Sequence, residues 1–146
     1  MRAARVTDLP QLADLFDRYR QFYRQPADLA LARRFIGERL ERSDSTILVA
    51  AADAASLAGF TQLYPTLCSV SAAPIYVLYD LFVANDKRSR GVGRALLDAA
   101  RRHAEQTGAV RMELATATTN SSSQRLYESL GWVREQDFYR YSLRLD

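Results

Sequence analysis

Asp80-Leu81-Phe82-Val83-Ala84-Asn85-Asp86-Lys87-Arg88-Ser89-Arg90-Gly91-Val92-Gly93-Arg94-Ala95 decides the fold. It reads as a buried strand, a short charged loop and the start of a helix. The strand side is apolar: Ile75, Tyr76, Val77, Leu78 and Tyr79 lead into Leu81, Phe82 and Val83. On the helix side Val92, Leu96, Ala99, Ala100 and Ala104 recur at three and four. Between them lie Gly91 and Gly93, flanked by Arg88, Arg90 and Arg94. A helix N-terminus carries unpaired N–H groups and a partial positive charge. Glycines let a bulky anion approach that backbone. The stretch therefore predicts an anion, a phosphate by preference, at the start of this helix.

Two glycines are too few for the three of a dinucleotide fingerprint, and no Walker loop is present. The pattern Arg88-x-x-Gly91-x-Gly93-x-Ala95 resembles the R/Q-x-x-G-x-G/A signature of the GNAT (Gcn5-related) N-acetyltransferase superfamily. The resemblance implies that Arg88, Ser89, Arg90, Gly91, Val92, Gly93, Arg94 and Ala95 cradle the pyrophosphate of acetyl-CoA. The plain alternative is a tight strand-to-helix turn with solvated arginines.

A second stretch, Asn120-Ser121-Ser122-Ser123-Gln124-Arg125-Leu126-Tyr127-Glu128-Ser129-Leu130-Gly131-Trp132, is similar to the family's N-x-x-A/S-x-x-L/F-Y-x-x-x-G-F/W motif. Asn120 can cap the helix; the resemblance also turns it, with Ser123, toward the cofactor. Tyr127 lies seven residues on, two turns along the same face. The resemblance makes it a cofactor contact and the general acid for the leaving thiolate; otherwise it is an aromatic core anchor. It also implies that the strand residues Leu81, Phe82 and Val83 offer backbone groups to the pantetheine arm, as to an added strand.

Asp80 is the unusual carboxylate, since it interrupts an apolar strand. Burial raises a carboxyl pKa and favours proton acceptance near neutrality. Its position matches an acid that relays the amine proton in several branches of the family; a structural acid bonded to backbone, Arg or Tyr is the alternative. Tyr19, Phe22, Tyr23, Tyr64, Tyr76 and Tyr79 either fill the core or line an acceptor groove able to hold a cation. The one histidine, His103, sits beside Arg101, Arg102 and Glu105 and reads as solvated surface. No His/Cys cluster has ligand spacing, so no metal is expected. Cys68, the one cysteine, reads as an inert small residue without a disulfide partner.

The whole chain agrees with these motifs. A length of 146 residues suits one domain, 1–146, with a real core. Apolar residues make up 48% and charged residues 25%, and the net charge is +3. That suits an anionic small ligand, and no basic stripe interleaved with aromatics points to nucleic acid. No stretch of about 18 apolar residues suggests a membrane span. With one cysteine and no signal-length apolar run, the expected location is cytoplasmic.

The elements read as follows. Arg2 to Val6 is a strand, and Thr7 or Asp8 caps a helix striped by Leu12, Leu15, Phe16, Tyr19, Phe22 and Tyr23. Asp28 caps a second helix burying Ala32, Phe35, Ile36 and Leu40. Thr46 to Ala51 and Leu57 to Tyr64 form a hairpin, and Pro65 to Ala73 is a loop. Pro74 to Val83 is the central strand, with a helix from the glycine loop to Thr107. Val110 to Ala115 is a strand, Asn120 to Leu130 a helix, and Phe138 to Leu145 a final alternating strand.

Spacing alone supports α+β or α/β. The resemblance, which covers nearly all of the chain, implies the GNAT α/β fold: a mixed, mostly antiparallel sheet flanked by helices, with splayed central strands. It implies direct transfer of acetyl from acetyl-CoA to a primary amine. The first expected acceptor is a small molecule such as a polyamine or amino acid; protein lysines, N-termini and aminoglycosides follow. A non-catalytic acyl-CoA sensor or a phosphate-binding nucleotide module stays open. A homodimer through Phe138 to Leu145 is the expected assembly.

Overall fold

A computed structural model describes residues 1–146. The elements are β1 (Arg2–Ala3), α1 (Leu9–Phe22), α2 (Leu29–Arg42), β2 (Thr46–Ala51), β3 (Leu57–Cys68), β4 (Ala73–Val83), α3 (Val92–Gln106), β5 (Met112–Glu113) and α4 (Ser121–Ser129). The chain forms two compact units, Met1–Leu114 and Ala115–Asp146.

The first unit holds one five-stranded sheet in the order β1-β2-β3-β4-β5. The first three pairings are antiparallel and β4–β5 is parallel. Alternation along the strands divides the core in two. Ile47 and Val49 of β2 and Phe82 of β4 pack with Leu12, Leu15, Phe16, Ala32 and Ile36 from α1 and α2. Their out-of-phase neighbours, Ala50 of β2 and Leu81 and Val83 of β4, meet Leu96 and Val92 of α3. Opposite parity means opposite faces of a strand, so the helices cover both sides of this sheet. Phe60, wholly buried on β3, contributes about 1.5–3 kcal/mol by leaving water. Gly59 lets β3 come close to β4, since a Cβ there would lie 2.5 Å from the Phe82 carbonyl oxygen.

Several expected boundaries move. The first strand is only Arg2–Ala3, because Arg2 is drawn into a bidentate pair with Asp8 (2.7 and 2.8 Å). Asp8 accordingly makes no side-chain cap to α1; it accepts from the Arg5 amide at 2.7 Å, closing a 3-10 turn over Val6–Asp8. Asp28 does cap α2, accepting from the Leu31 amide at 3.0 Å. The expected loop from Pro65 is largely strand: β3 runs on to Cys68, with Pro65 opposite Tyr76. Its pairing to β2 ends at Leu63, so at Pro65 β3 is free on that side and proline's missing N–H costs no ladder bond.

β5 is shorter than Val110 to Ala115, because β4 pairs with it only at Tyr76–Met112 and Val77–Glu113. Beyond that point the two central strands part. The expected last strand, Phe138 to Leu145, does not form. Its alternation is present, but a strand needs a ladder partner, and none of the five strands pairs with it. Tyr139, Tyr141, Leu143 and Leu145 are almost fully exposed.

The second unit is built on α4. Asn120 caps it, accepting from the Ser123 amide at 3.3 Å. Gln124 Nε2 donates to the Ala117 and Thr118 carbonyls, which fixes the entry to the helix. Gly131 closes it at φ 87, and Trp132 N–H returns to the Tyr127 carbonyl at 3.1 Å.

Candidate active site

The antiparallel ladder between β3 and β4 is interrupted once. Gln62 faces Asp80 and Leu63 faces Leu78, so Tyr79 has no partner and forms a bulge. Such a bulge re-aims neighbouring side chains and is common beside active sites. Tyr79 projects into solvent, while Asp80 is buried at 3% exposure.

Asp80 has polar company. Gln62 Nε2 donates to its Oδ2 at 2.5 Å, and Thr61 Oγ1 donates to its backbone carbonyl at 2.8 Å. The Tyr19 hydroxyl reaches the same carboxylate and lies 3.2 Å from the Tyr79 carbonyl oxygen. Burial pushes the Asp80 carboxyl above its ordinary range, with Gln62 and Tyr19 pulling the other way. The carboxylate acts back on its surroundings: desolvation first, then the Asp80 charge, pushes the Tyr19, Tyr23 and Tyr64 phenols upward, Tyr64 to about 12. A carboxylate whose proton affinity is raised by burial is a better base than an exposed aspartate.

The phenols of Tyr19, Tyr23 and Tyr64 stand near this carboxylate, and other rings pack against them. Tyr19 and Tyr23 meet at 5.1 Å between centroids, Phe22 and Tyr23 at 5.3 Å, and Tyr64 and Tyr79 at 5.8 Å. Phe22, Tyr23 and Tyr79 keep large exposed faces. A buried anion beside accessible ring faces is a fitting environment for an alkylammonium group.

Along the same strand, the Ala84 amide bonds the Ala58 carbonyl at 2.9 Å. Ladder alternation then turns the polar groups of Phe82 toward β3 and those of Leu81 and Val83 to the opposite edge. Leu81 therefore has backbone to offer beyond the end of β5, and Val83 its amide, its carbonyl being held by Arg88 Nε at 3.0 Å. Phe82 does not: its ring is core and its backbone faces β3.

The loop then turns through a 3-10 segment, Asn85–Lys87, with Ser89 at φ 60 and Gly91 at φ 75. Gly91 is the N-cap of α3 and brings no side chain to its first-turn amides. Helix geometry leaves the Val92 and Gly93 amides without an intrahelical acceptor. A Cβ on Gly91 would meet nothing within 4 Å. The glycine thus serves the left-handed conformation, and the space above it is open. Ser89, Arg90 and Arg94 are exposed around it, and Ala95 closes the first turn with its amide on the Gly91 carbonyl at 3.0 Å. Open space, first-turn amides and basic side chains fit a diphosphate.

Arg88 is less free than its place in the motif implies. Its Nε donates to the Val83 carbonyl at 3.0 Å, and its guanidinium lies over Phe82 at 5.5 Å and Phe22 at 5.9 Å. It ties the glycine loop to the end of α1.

Asn120, Ser123 and Tyr127 belong to the second unit. Asn120 and Ser123 form the cap bond already described. Tyr127 is half-buried on α4, with its ring 6.1 Å from that of Trp132.

Two expectations change. His103 is not solvated: Nε2 lies 3.1 Å from Thr46 Oγ1 and 3.3 Å from the Tyr76 hydroxyl, and the ring meets Tyr76 edge-on. It ties α3 to the sheet. Cys68 is not inert: Sγ lies 3.5 Å from Ser71 Oγ and 3.4 Å from Arg111 Nη2. Ser71, then Arg111, pulls the thiol down to about 7. Alkylation by iodoacetamide, followed by mass spectrometry against pH, should reach half its maximal rate near that value. Arg111→Met should move the midpoint up; a parent midpoint near the ordinary ~8.5 would refute the contact.

Gln62 carried a signal that went unread. Like Asp80, it is a polar residue inside an apolar strand.

Residues 9–132 match the acetyltransferase (GNAT) family. The chain is 43% identical, over 99% of its length and 97% of the relative's, to the uncharacterized N-acetyltransferase YhfO of Bacillus subtilis (strain 168). It is 38% identical to the solved structure of a probable acetyltransferase, with a TM-score of 0.92 over 100% of this chain and 99% of that one. A ribosomal-protein-alanine N-acetyltransferase from Brucella melitensis biovar Abortus 2308 shares the fold at 22% identity and a TM-score of 0.78, over 98% and 97% of the two chains.

Proposed function

The chain belongs to the acetyltransferase (GNAT) family, and on that premise we propose that it moves the acetyl group of acetyl-CoA to a primary amine of a small molecule, such as a polyamine or an amino acid, by direct attack with both bound. The observation that carries the reading is the buried Asp80 carboxylate at the Tyr79 bulge, with the phenols of Tyr19, Tyr23 and Tyr64 near it. A small ammonium can be held by those rings and give its proton to that carboxylate.

Acetyl-CoA supplies, when bound, an activated thioester. Within the first unit the residues suited to hold it are Leu81 and Val83 through their backbone and the Ser89–Gly93 loop with Arg90 and Arg94; the family motif separately assigns Asn120 and Ser123 to the cofactor. Asp80 takes the proton from the acceptor ammonium. The bulge and Gln62 present that carboxylate, and the Tyr127 hydroxyl supplies a proton to the departing sulfur. A panel of polyamines, amino acids, aminoglycosides and lysine peptides, with thiol release as the readout, tests the acceptor class. Turnover confined to peptides would overturn the small-molecule reading.

Tyr127→Phe keeps the ring that packs with Trp132 and removes one hydroxyl. General acid catalysis is worth ~10²–10⁴-fold, so kcat and kcat/KM should fall together by that order where chemistry limits turnover. CoA affinity, measured by calorimetry, should stay near the parent's. An equal loss of affinity would make Tyr127 a holder of the cofactor and not its acid.

The same chain is proposed to pair with a second copy through its C-terminal segment. Tyr139, Tyr141, Leu143 and Leu145 alternate with Arg140, Ser142 and Arg144, the pattern of a strand with one apolar face, yet all four apolar side chains are bare. Light scattering of the full chain should give a dimer, and Leu143→Glu should shift it to monomer. A monomeric parent at all concentrations would refute the pairing.

A further inference from the structure

We infer that Gln62 is a positioning residue for the transfer, presenting the Asp80 carboxylate for the amine proton through a single aimed amide donor. This deepens the reading of Asp80 as the base and rests on it.

Gln62 and Asp80 face each other across the β3–β4 ladder, at the step where the register slips past Tyr79. Gln62 is wholly buried, so its amide must find partners within the protein. It finds two. Ser45 Oγ donates to its Oε1 at 2.8 Å, and its Nε2 donates to Asp80 Oδ2 at 2.5 Å. A carboxylate only accepts, so the amide nitrogen must point at Asp80 and the oxygen at Ser45. The Ser45 hydroxyl then fixes the amide from behind. Residues before β2, on β3 and on β4 thus form one directed chain, Ser45 to Gln62 to Asp80.

The chemistry of the donor matters. With no donor, burial would favour the protonated carboxyl further, and a protonated acid accepts no proton. A guanidinium in its place would favour the ionised form by roughly 1–3 pKa units, leaving a carboxylate too weak to take a proton. A neutral amide lies between the two. The other titratable groups that act on Asp80 are phenols: Tyr19 from α1, Tyr23 just past its end, and Tyr64 from β3. Burial and the Asp80 charge keep Tyr19, Tyr23 and Tyr64 protonated. Gln62 is therefore the partner whose removal should change the proton affinity of Asp80 without introducing or deleting a charge.

The test is the pH profile of kcat/KM with acetyl-CoA and the best amine of the panel, from about pH 5 to about pH 9. The amine's own ionisation is common to parent and variants, so a difference between profiles belongs to the protein. Gln62→Leu should move the acid limb to higher pH and leave the high-pH plateau close to the parent's. Ser45→Ala, at the half-exposed end of the chain, should move it the same way by less; it decides the matter if Gln62→Leu does not fold. A loss equal at every pH, or a limb that stays in place in both variants, would overturn the inference. Asp80→Asn separates the two levels. In Asp80→Asn the limb should move to the amine's own ionisation; a limb that stays where the parent has it sinks the base reading itself. A limb that moves to the amine's ionisation in Asp80→Asn but stays in place in Gln62→Leu and Ser45→Ala sinks only the role of Gln62.

Discussion

Gly91→Asp is expected to abolish coenzyme A binding while leaving the protein folded. Gly91 holds φ 75 at the N-cap of α3, and its missing Cβ faces open space. Among side chains, aspartate is one of the few that visit the left-handed region, at about 1–2 kcal/mol per residue for L-residues in general. It is also a favoured N-cap, and it complements the positive end of the helix. The substitution therefore suits the helix, whose first-turn amides would gain an acceptor. Those amides are what a diphosphate needs, and the new carboxylate would fill its place with like charge. Calorimetry with coenzyme A should show binding lost, and the thermal shift that coenzyme A gives the parent should disappear. The Tm without ligand should change little. Binding as tight as the parent's would remove the loop from the cofactor site.

The same loop shows why part of the fold was legible beforehand. Apolar strand, charged turn, glycine pair and helical period are all local, and all are visible between Ile75 and Ala104. Asp80 was legible for a related reason: a carboxylate in an apolar strand must be paired or perturbed. The Asn120 and Asp28 caps were likewise local, and both formed.

What escaped was set by distance along the chain. The bulge at Tyr79 depends on how β3 and β4 align, and no period of two on one strand records a slip between strands. Cys68 is a mixed case: Ser71, its larger influence, is only three residues away, while Arg111 is distant in sequence. His103 seemed solvated because its neighbours Arg101, Arg102 and Glu105 are charged. The helix instead turns it with Ala100 and Ala104 toward Thr46 and Tyr76. Phe138 to Leu145 has the alternation of a strand, but alternation states which face would be buried and not what would cover it.

Asp80→Asn is expected to slow acetylation by ~10²–10⁴-fold, the usual worth of a positioned base, and to stabilise the fold at neutral pH. The two effects have one cause. Burial raises the Asp80 carboxyl in the folded protein, whereas in the unfolded chain it titrates near ~3.9. Below that value both states hold the proton, and the folded state has its full stability from this group. As pH rises, the unfolded chain releases the proton first, so stability falls until the folded carboxyl has also ionised. Asparagine does not titrate, so the Tm of Asp80→Asn relative to the parent should climb from about pH 4 through the raised folded pKa and level above it. A carbonyl oxygen at this position can still accept from Gln62 Nε2, which keeps the buried amide paired. Activity should show the converse dependence. The deficit should be greatest at low pH, where the acceptor is an ammonium, and shrink as pH rises and free amine becomes available without help. A Tm difference that is flat with pH would mean that Asp80 is not perturbed by the fold. A perturbed Asp80 whose loss leaves the rate unchanged would be a structural acid, and the proton would have to leave the amine through water.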